Sequence, residues 1–268
     1  MLISVLDQLQ LNRHMLSAKE KEIAEYIIQN KNTILNINIR ELALKTGSST
    51  STITRFCKKI NCDSFVDFKI KLSREAEPPE EEASVFTKVQ KLYTHVVQST
   101  AEMVKQEQVE EVVQLIKTSR RLLVFGLGSS GLSALEFKYR LMRMNIIIDA
   151  ITDSHMMLMN ASLLRKNDLI IGLSNSGTTQ EVIDALKVGR EQGASVVGIT
   201  NFDHTGLTDV SDIVLFTPSI HRNNDEHFIN SQLSIIYVLD IISMLLLEDQ
   251  SMLQARRNTL KALYKNRE

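Results

Sequence analysis

Cysteine is scarce in this 268-residue chain: Cys57 and Cys62 are the only two. Two thiols cannot form the framework that staples small secreted domains, so they read as reduced thiols of a cytoplasmic protein. They also argue against zinc, because no further Cys exists and His14 is the only His before His95. Long hydrophobic runs are missing as well. The most apolar stretch, 233–247, is short and contains Ser234, Asp240 and Ser243. A membrane span takes about 20 apolar residues, so this stretch is expected to be a buried helix. No charged-then-apolar signal opens the sequence, and no membrane partner is expected. A net charge of −1 excludes a protein that is basic throughout. The charge is uneven, however. Residues 1–76 hold 12 Lys/Arg against 8 Asp/Glu, and the remainder holds 19 against 24. That sign suits an N-terminal part that meets a phosphate backbone.

What is present is enough for a sizeable core: 43% hydrophobic and 24% charged residues, in a length that fits one large domain or two ordinary ones. Two of the three prolines stand in Glu77-Pro78-Pro79-Glu80-Glu81-Glu82, the composition of a solvated, semi-stiff linker. Before it the pattern is helical. Ser17 caps a run carrying Ile23, Tyr26, Ile27 and Ile28, and further helices are expected around Leu42-Ala43, from Ser49 or Thr50 to Ile60, and through Phe65, Phe68, Ile70 and Leu72. After it the pattern alternates. One helix over about 86–118 leads to strands at 122–126, 146–149, 169–173, 195–200 and 213–216, with helices at 130–143, 154–164 and 178–192 between them. All-apolar strands alternating with helices predict a parallel sheet covered on both faces. The expected class is therefore α plus α/β. An all-helical domain occupies 1–76, a linker 77–85, and a parallel-sheet α/β sandwich 86–268.

The segment Ile39 to Lys59 has the spacing of a helix-turn-helix. Ala43 is small where two helices must approach, Gly47 supplies the turn, Ser49 caps the second helix, and Ile53 and Phe56 point inward. Ser49, Ser51, Thr52, Thr54, Arg55 and Lys58 then lie on or near the outer face. Short hydroxyls and long cations suit phosphate anchoring and base-edge contact in a major groove, so operator DNA is the expected partner.

Two loops carry the chemistry of the C-terminal part. Gly126-Leu127-Gly128-Ser129-Ser130-Gly131 and Ser174-Asn175-Ser176-Gly177-Thr178-Thr179 each follow a strand and open a helix. Unpaired backbone N–H groups at a helix start, joined by small hydroxyls, make a site for an anion such as phosphate. The first loop also matches GxGxxG, with Asp149 placed 23 residues on, which keeps a dinucleotide such as NAD as an alternative. The second loop favours a phosphomonoester, since a dinucleotide fold has no use for it.

The Ser-x-Ser-Gly-x-Thr pattern of 174–179 resembles the phosphate loop of the sugar isomerase (SIS) domain. Behind this kind of helix-turn-helix, the whole chain resembles the RpiR family of bacterial transcription regulators. Leu42-Ala43, Thr52-Ile53-x-Arg55-Phe56-Cys57-Lys58-Lys59, Phe65-x-x-Phe68-Lys69, Lys138 to Arg143 and Asp168-Leu169-Ile170 all fit. The resemblance implies a regulator that senses a phosphorylated sugar or amino sugar. Ser129, Ser130, Ser174, Asn175, Ser176, Thr179 and Glu226 would hold it, with no cofactor and no metal. Two departures, Thr178-Thr179-Gln180 and Asn230-Ser231-Gln232, remove charge near that site.

Related domains also occur in aldose–ketose isomerases, which need a tuned base near the sugar. His155, His204, Glu226 and His227 are the candidates, but none pairs with an acid at a telling spacing, and the domain reads as a binding module rather than an enzyme. The apolar helix over 230–247 is expected to lie in the sheet domain or at a dimer interface. Operators read by helix-turn-helix units are usually two-fold, so a homodimer or higher homo-oligomer is expected.

Overall fold

The structure, a computed structural model, describes residues 5–75, 84–219 and 232–264. The Pro78-Pro79 stretch, Glu226 and His227 lie outside the described residues. Those described fall into two compact units. The first is built on α1 (Val5–Leu11), a 3-10 turn (Arg13–Met15), α2 (Ala18–Gln29), α3 (Lys31–Ile34), α4 (Ile39–Lys45), α5 (Thr50–Lys59), α6 (Phe65–Glu75) and α7 (Val85–Met103). The second runs α8 (Gln106–Thr118), β1 (Arg121–Gly126), α9 (Gly128–Met142), β2 (Ile148–Ile151), α10 (Ser154–Ala161), β3 (Asp168–Leu173), α11 (Gln180–Glu191), β4 (Ser195–Thr200), α12 (Gly206–Val210), β5 (Ile213–Phe216), α13 (Leu233–Leu246) and α14 (Gln250–Tyr264).

Local chemistry explains the helix starts of the first unit. Ser17 and Glu20 form a reciprocal capping box at α2, and Asn38 and Glu41 do the same at α4. The helices then bury Ile23, Ile27, Leu42, Ile53, Phe56 and Phe68 in one core. Cys57 belongs to that core, and burial pushes its thiol up to about 12, so it behaves as a small hydrophobe.

In the second unit five parallel strands lie in the order β2-β1-β3-β4-β5. β3 is buried at every position and β1 and β4 at all but the first. One face is covered by α8, α9 and α13, the other by α10, α11 and α12. The apolar α13 lies inside its own domain: Ile235, Val238, Leu239, Ile242 and Leu246 are fully buried against the sheet. At the amino end of β3 the Asp168 carboxylate is completely buried. One of its oxygens accepts from Arg120 Nη2 at 2.6 Å and from the Arg165 N–H at 3.0 Å. Among the described residues no helix is long and apolar enough to cross a membrane, and no group of three or more His, Cys, Asp or Glu is placed to hold a metal ion.

Two sequence expectations are corrected. The single helix over 86–118 is two helices, broken at Val104 and Lys105. Neither Gly nor Pro marks the break, and Lys105 gives no side-chain cap to read. The second strand begins at Ile148 rather than at 146. Asn145 adopts a left-handed φ of 63° and the Ile146 N–H bonds back to Leu141 O at 3.3 Å, so residues 145 and 146 are used in leaving α9, while Ile147 O already accepts the Leu122 N–H of β1 at 3.0 Å.

Candidate functional site

The strand order reverses between β1 and β3. The chain leaves β1 for β2 on one side and then crosses to β3 on the other. Ligands of open α/β sheets bind beside such a switch point, at the carboxyl ends of the strands. Both Gly/Ser loops stand there, since Gly126 pairs with Leu173 in the sheet register and neighbouring strands lie about 4.8 Å apart.

Four helices start directly from strand ends, and their caps divide them into two pairs. α10, after β2, is capped by Asp153, whose carboxylate accepts the Met156 N–H at 2.9 Å. α12, beyond β4, is capped by Thr205 in a box with Thr208. α9, after β1, and α11, after β3, have no side-chain cap. The two helix starts at the switch point therefore leave first-turn N–H groups available to an anion.

The second loop gathers hydroxyls. Ser174 Oγ lies 2.8 Å from Thr179 Oγ1 and 3.4 Å from Ser176 Oγ. The Gly177 N–H donates to Ser174 Oγ at 3.1 Å and the Thr178 N–H to Ser176 Oγ at 3.2 Å. Gly177 has a φ of +65°, and a Cβ there would stand 2.4 Å from Thr205 Oγ1 and 2.9 Å from Thr200 Oγ1. The loop thus rests on two threonines that sequence reading did not pick out. Their signal was position, at and just beyond the end of β4. Asn175 is held from behind, its carbonyl accepting the Asn201 N–H at 3.0 Å. In the first loop Ser129 is exposed and Ser130 buried, and nothing lies within 4 Å of where a Gly128 Cβ would be. One turn on, Ser133 Oγ bonds Gln232 Oε1 at 3.0 Å, which ties α9 to the start of α13.

The acid required by the dinucleotide alternative is misplaced. Asp149 is not at the end of its strand. It pairs in register with Leu123, and its carboxylate bonds Lys138 Nζ at 2.6 Å. The residue beyond the tip of β2 is Asp153, which caps α10. Of the candidate bases, His155 lies in the first turn of α10, and His204 sits on an exposed turn 3.7 Å from Asp203.

The helix-turn-helix is equally well defined. α4 ends in a Schellman turn: the Ser48 N–H bonds Ala43 O at 2.8 Å around Gly47, whose φ is +56°. Ser49 caps α5 by accepting the Thr52 N–H at 3.1 Å, and its hydroxyl lies 2.7 Å from that of Ser51. Ile53, Phe56 and Cys57 face the core. Ser49, Ser51, Arg55 and Lys58 are exposed, while Thr52 and Thr54 are half-buried. The Thr54 hydroxyl donates to Thr50 O at 2.9 Å. Lys59, also exposed, reaches toward α2 instead. Its Nζ bonds Glu20 Oε2 at 2.7 Å and Met15 O at 3.3 Å, so it braces α5 against α2. Burial pushes the Glu20 carboxyl up, but the hydrogen bonds from Lys59 and Ser17 outweigh it and hold the group below the ordinary carboxylate range.

Comparison with known proteins follows the same division. The model of the helix-turn-helix domain of the rpiR family matches residues 3–79, and that of the SIS domain matches residues 115–239. An uncharacterized HTH-type transcriptional regulator of Haemophilus influenzae is 29% identical over 98% of both chains. The Vibrio vulnificus NanR protein complexed with ManNAc-6P shares the fold with a TM-score of 0.63 and 23% identity, over 97% of this chain and 98% of that one. The sugar isomerase domain of an RpiR transcription factor from Sphaerobacter thermophilus aligns with a TM-score of 0.61 and 20% identity, over 67% of this chain and 99% of that one. With an rpiR-type helix-turn-helix domain at 3–79 followed in sequence by an SIS domain at 115–239, the chain belongs to the RpiR family of helix-turn-helix transcriptional regulators.

Proposed function

We propose that the SIS domain binds a phosphorylated sugar or amino sugar and that this ligand changes how residues 1–76 bind operator DNA. The observation that carries the reading is the pair of uncapped helix starts at the switch point, beside the hydroxyls of Ser174, Ser176 and Thr179. Phosphate accepts hydrogen bonds from each of these donor types, and bonds to a charged group contribute roughly 1.5–3 kcal/mol each. Ser129, Ser130 and Asn175 flank that position, and Glu226 belongs to the same proposed set. NanR, similar over its whole length, was solved with ManNAc-6P. The domain acts as a sensor rather than an isomerase, in the cytoplasm, and as a homodimer or larger assembly. Residues 1–76 read DNA, 77–85 link, and 86–268 bind ligand.

Calorimetric titration of sugar phosphates into the full chain, with and without operator, tests this. Coupling of 1–3 kcal/mol is ordinary, and reciprocity then makes operator change ligand affinity roughly 5–150-fold. Equal affinities in the two titrations overturn the regulatory reading. Stabilisation by NAD and by no sugar phosphate overturns the ligand class.

On the DNA side, Arg55→Ala should cost about 1–3 kcal/mol and relax preference at one base position. Lys58→Ala should weaken all sequences alike and lower the salt slope by about 1. A salt series of gel shifts separates the two, and wild-type behaviour of both variants would remove α5 from the groove.

A further inference from the structure

The loop from Ser174 to Thr179 hangs from the chain that follows β4 at three backbone points. The Ser174 N–H donates to Ile199 O at 3.1 Å, the Asn201 N–H to Asn175 O at 3.0 Å, and the Leu207 N–H to Gly177 O at 3.1 Å. Ile199 belongs to β4 and Leu207 to α12, so regular structure fixes the outer two points. Asn201 belongs to neither element. The middle point holds the carbonyl just before Ser176, and it needs a restraint of another kind.

A side chain supplies it. Asn201 Oδ1 accepts the Thr217 hydroxyl at 2.7 Å. Thr217 has no exposed surface and Asn201 keeps only 6%. Thr217 is itself anchored, because its N–H donates to Thr200 O at 2.9 Å and carries the β4–β5 ladder one residue past Phe216. The tip of β5 thus holds Asn201, and Asn201 holds the loop. Breaking the side-chain bond would leave a buried acceptor unpaired at Asn201. The backbone there is free of strand and helix, so it can swing to bring the amide to water, and Asn175 moves with it.

We propose that Asn201 and Thr217 are positioning residues for anion binding. Their side-chain bond keeps the Asn201 N–H against Asn175 O and so sets where the hydroxyls of Ser174, Ser176 and Thr179 stand. Neither residue has to touch the ligand. The inference rests on this loop being the phosphate site.

Titration of the full chain with inorganic phosphate, followed by phosphorus NMR, tests it. The wild type is expected to bind saturably. Thr217→Val keeps the shape and removes the hydroxyl, and should weaken binding about 10-fold, the size of effect that one unpaired buried acceptor gives. Thr217→Ser keeps the hydroxyl and should restore wild-type affinity. Ile170→Val removes a buried methyl group from the middle of β3 and reads the effect of lost stability alone, so it should bind phosphate as the wild type does. Circular dichroism checks folding. If Thr217→Val does not fold, Asn201→Ala, which removes the acceptor instead of the donor, replaces it and is read in the same way. Wild-type affinity in the folded Thr217→Val variant, or an equal loss in Thr217→Ser or Ile170→Val, overturns the positioning role and leaves the phosphate site in place. A wild type that binds no phosphate overturns both.

Discussion

Gly177→Ala is expected to lower sugar-phosphate affinity by at least about 100-fold while leaving DNA binding in the absence of ligand intact. A methyl group at this position would stand 2.4 Å from Thr205 Oγ1 and 2.9 Å from Thr200 Oγ1, closer than real Cβ contacts come. Neither threonine can yield cheaply. Thr205 accepts the Thr208 N–H that starts α12, and the Thr200 side chain is completely buried under the loop. The left-handed backbone adds roughly 1–2 kcal/mol of strain for a residue with a Cβ. The loop must therefore shift, and its hydroxyls shift with it. Losing two hydrogen bonds to a charged group, at roughly 1.5–3 kcal/mol each, gives the stated change. Thr178→Ala, at an exposed position of the same loop, should cost far less. Calorimetry on both variants is the measurement. Wild-type affinity in Gly177→Ala would mean that the phosphate does not sit on this loop.

Arg120→Ala is expected to destabilise the sheet domain by about 3 kcal/mol, because it leaves a buried carboxylate without its counter-charge. The Asp168 side chain has no exposed surface, and Arg120 is its ion-pair partner at 2.6 Å. The Arg165 N–H at 3.0 Å remains in the variant but carries no net charge. Removing the charge as well, in Arg120→Ala with Asp168→Asn, should recover part of the loss. Urea unfolding reads the difference as a lower midpoint at unchanged slope. An unfolding free energy within about 0.5 kcal/mol of wild type would show that the pair does not support the fold.

Much of this architecture was legible in the residues. The strands at 122–126, 169–173, 195–200 and 213–216 were readable because they are short, apolar and bounded by loop residues, and the structure places β1, β3, β4 and β5 there within a residue. The two loops were readable because both ends of each are marked, by a strand before and a helix after. What escaped had no local mark. The break between α7 and α8 has no Gly, Pro or capping side chain. The run Ile146-Ile147-Ile148 looks like one strand, yet its first residue serves the exit from α9. Lys59 has the same chemistry as Lys58 in sequence, and only the fold brings Glu20 to it. Thr200 and Thr205 are ordinary threonines until the parallel register sets them under Gly177.

The cradle also divides labour in a way that bears on how such regulators diverge. Its shape is held by contacts with no tolerance. An added carbon at Gly126 would stand 2.8 Å from the Ser130 backbone, one at Gly131 2.8 Å from Gly126 O, and one at Gly177 would strike Thr205. Gly128 and Thr178 look outward, to open space or solvent. Mutational drift is filtered differently in the two sets. Packing purges change in the first whatever the ligand, while the second can be sampled at little cost to folding. If the loops hold the phosphate as proposed, a lineage can exchange one sugar for another by changing its outer residues, while packing preserves the shape of the loops.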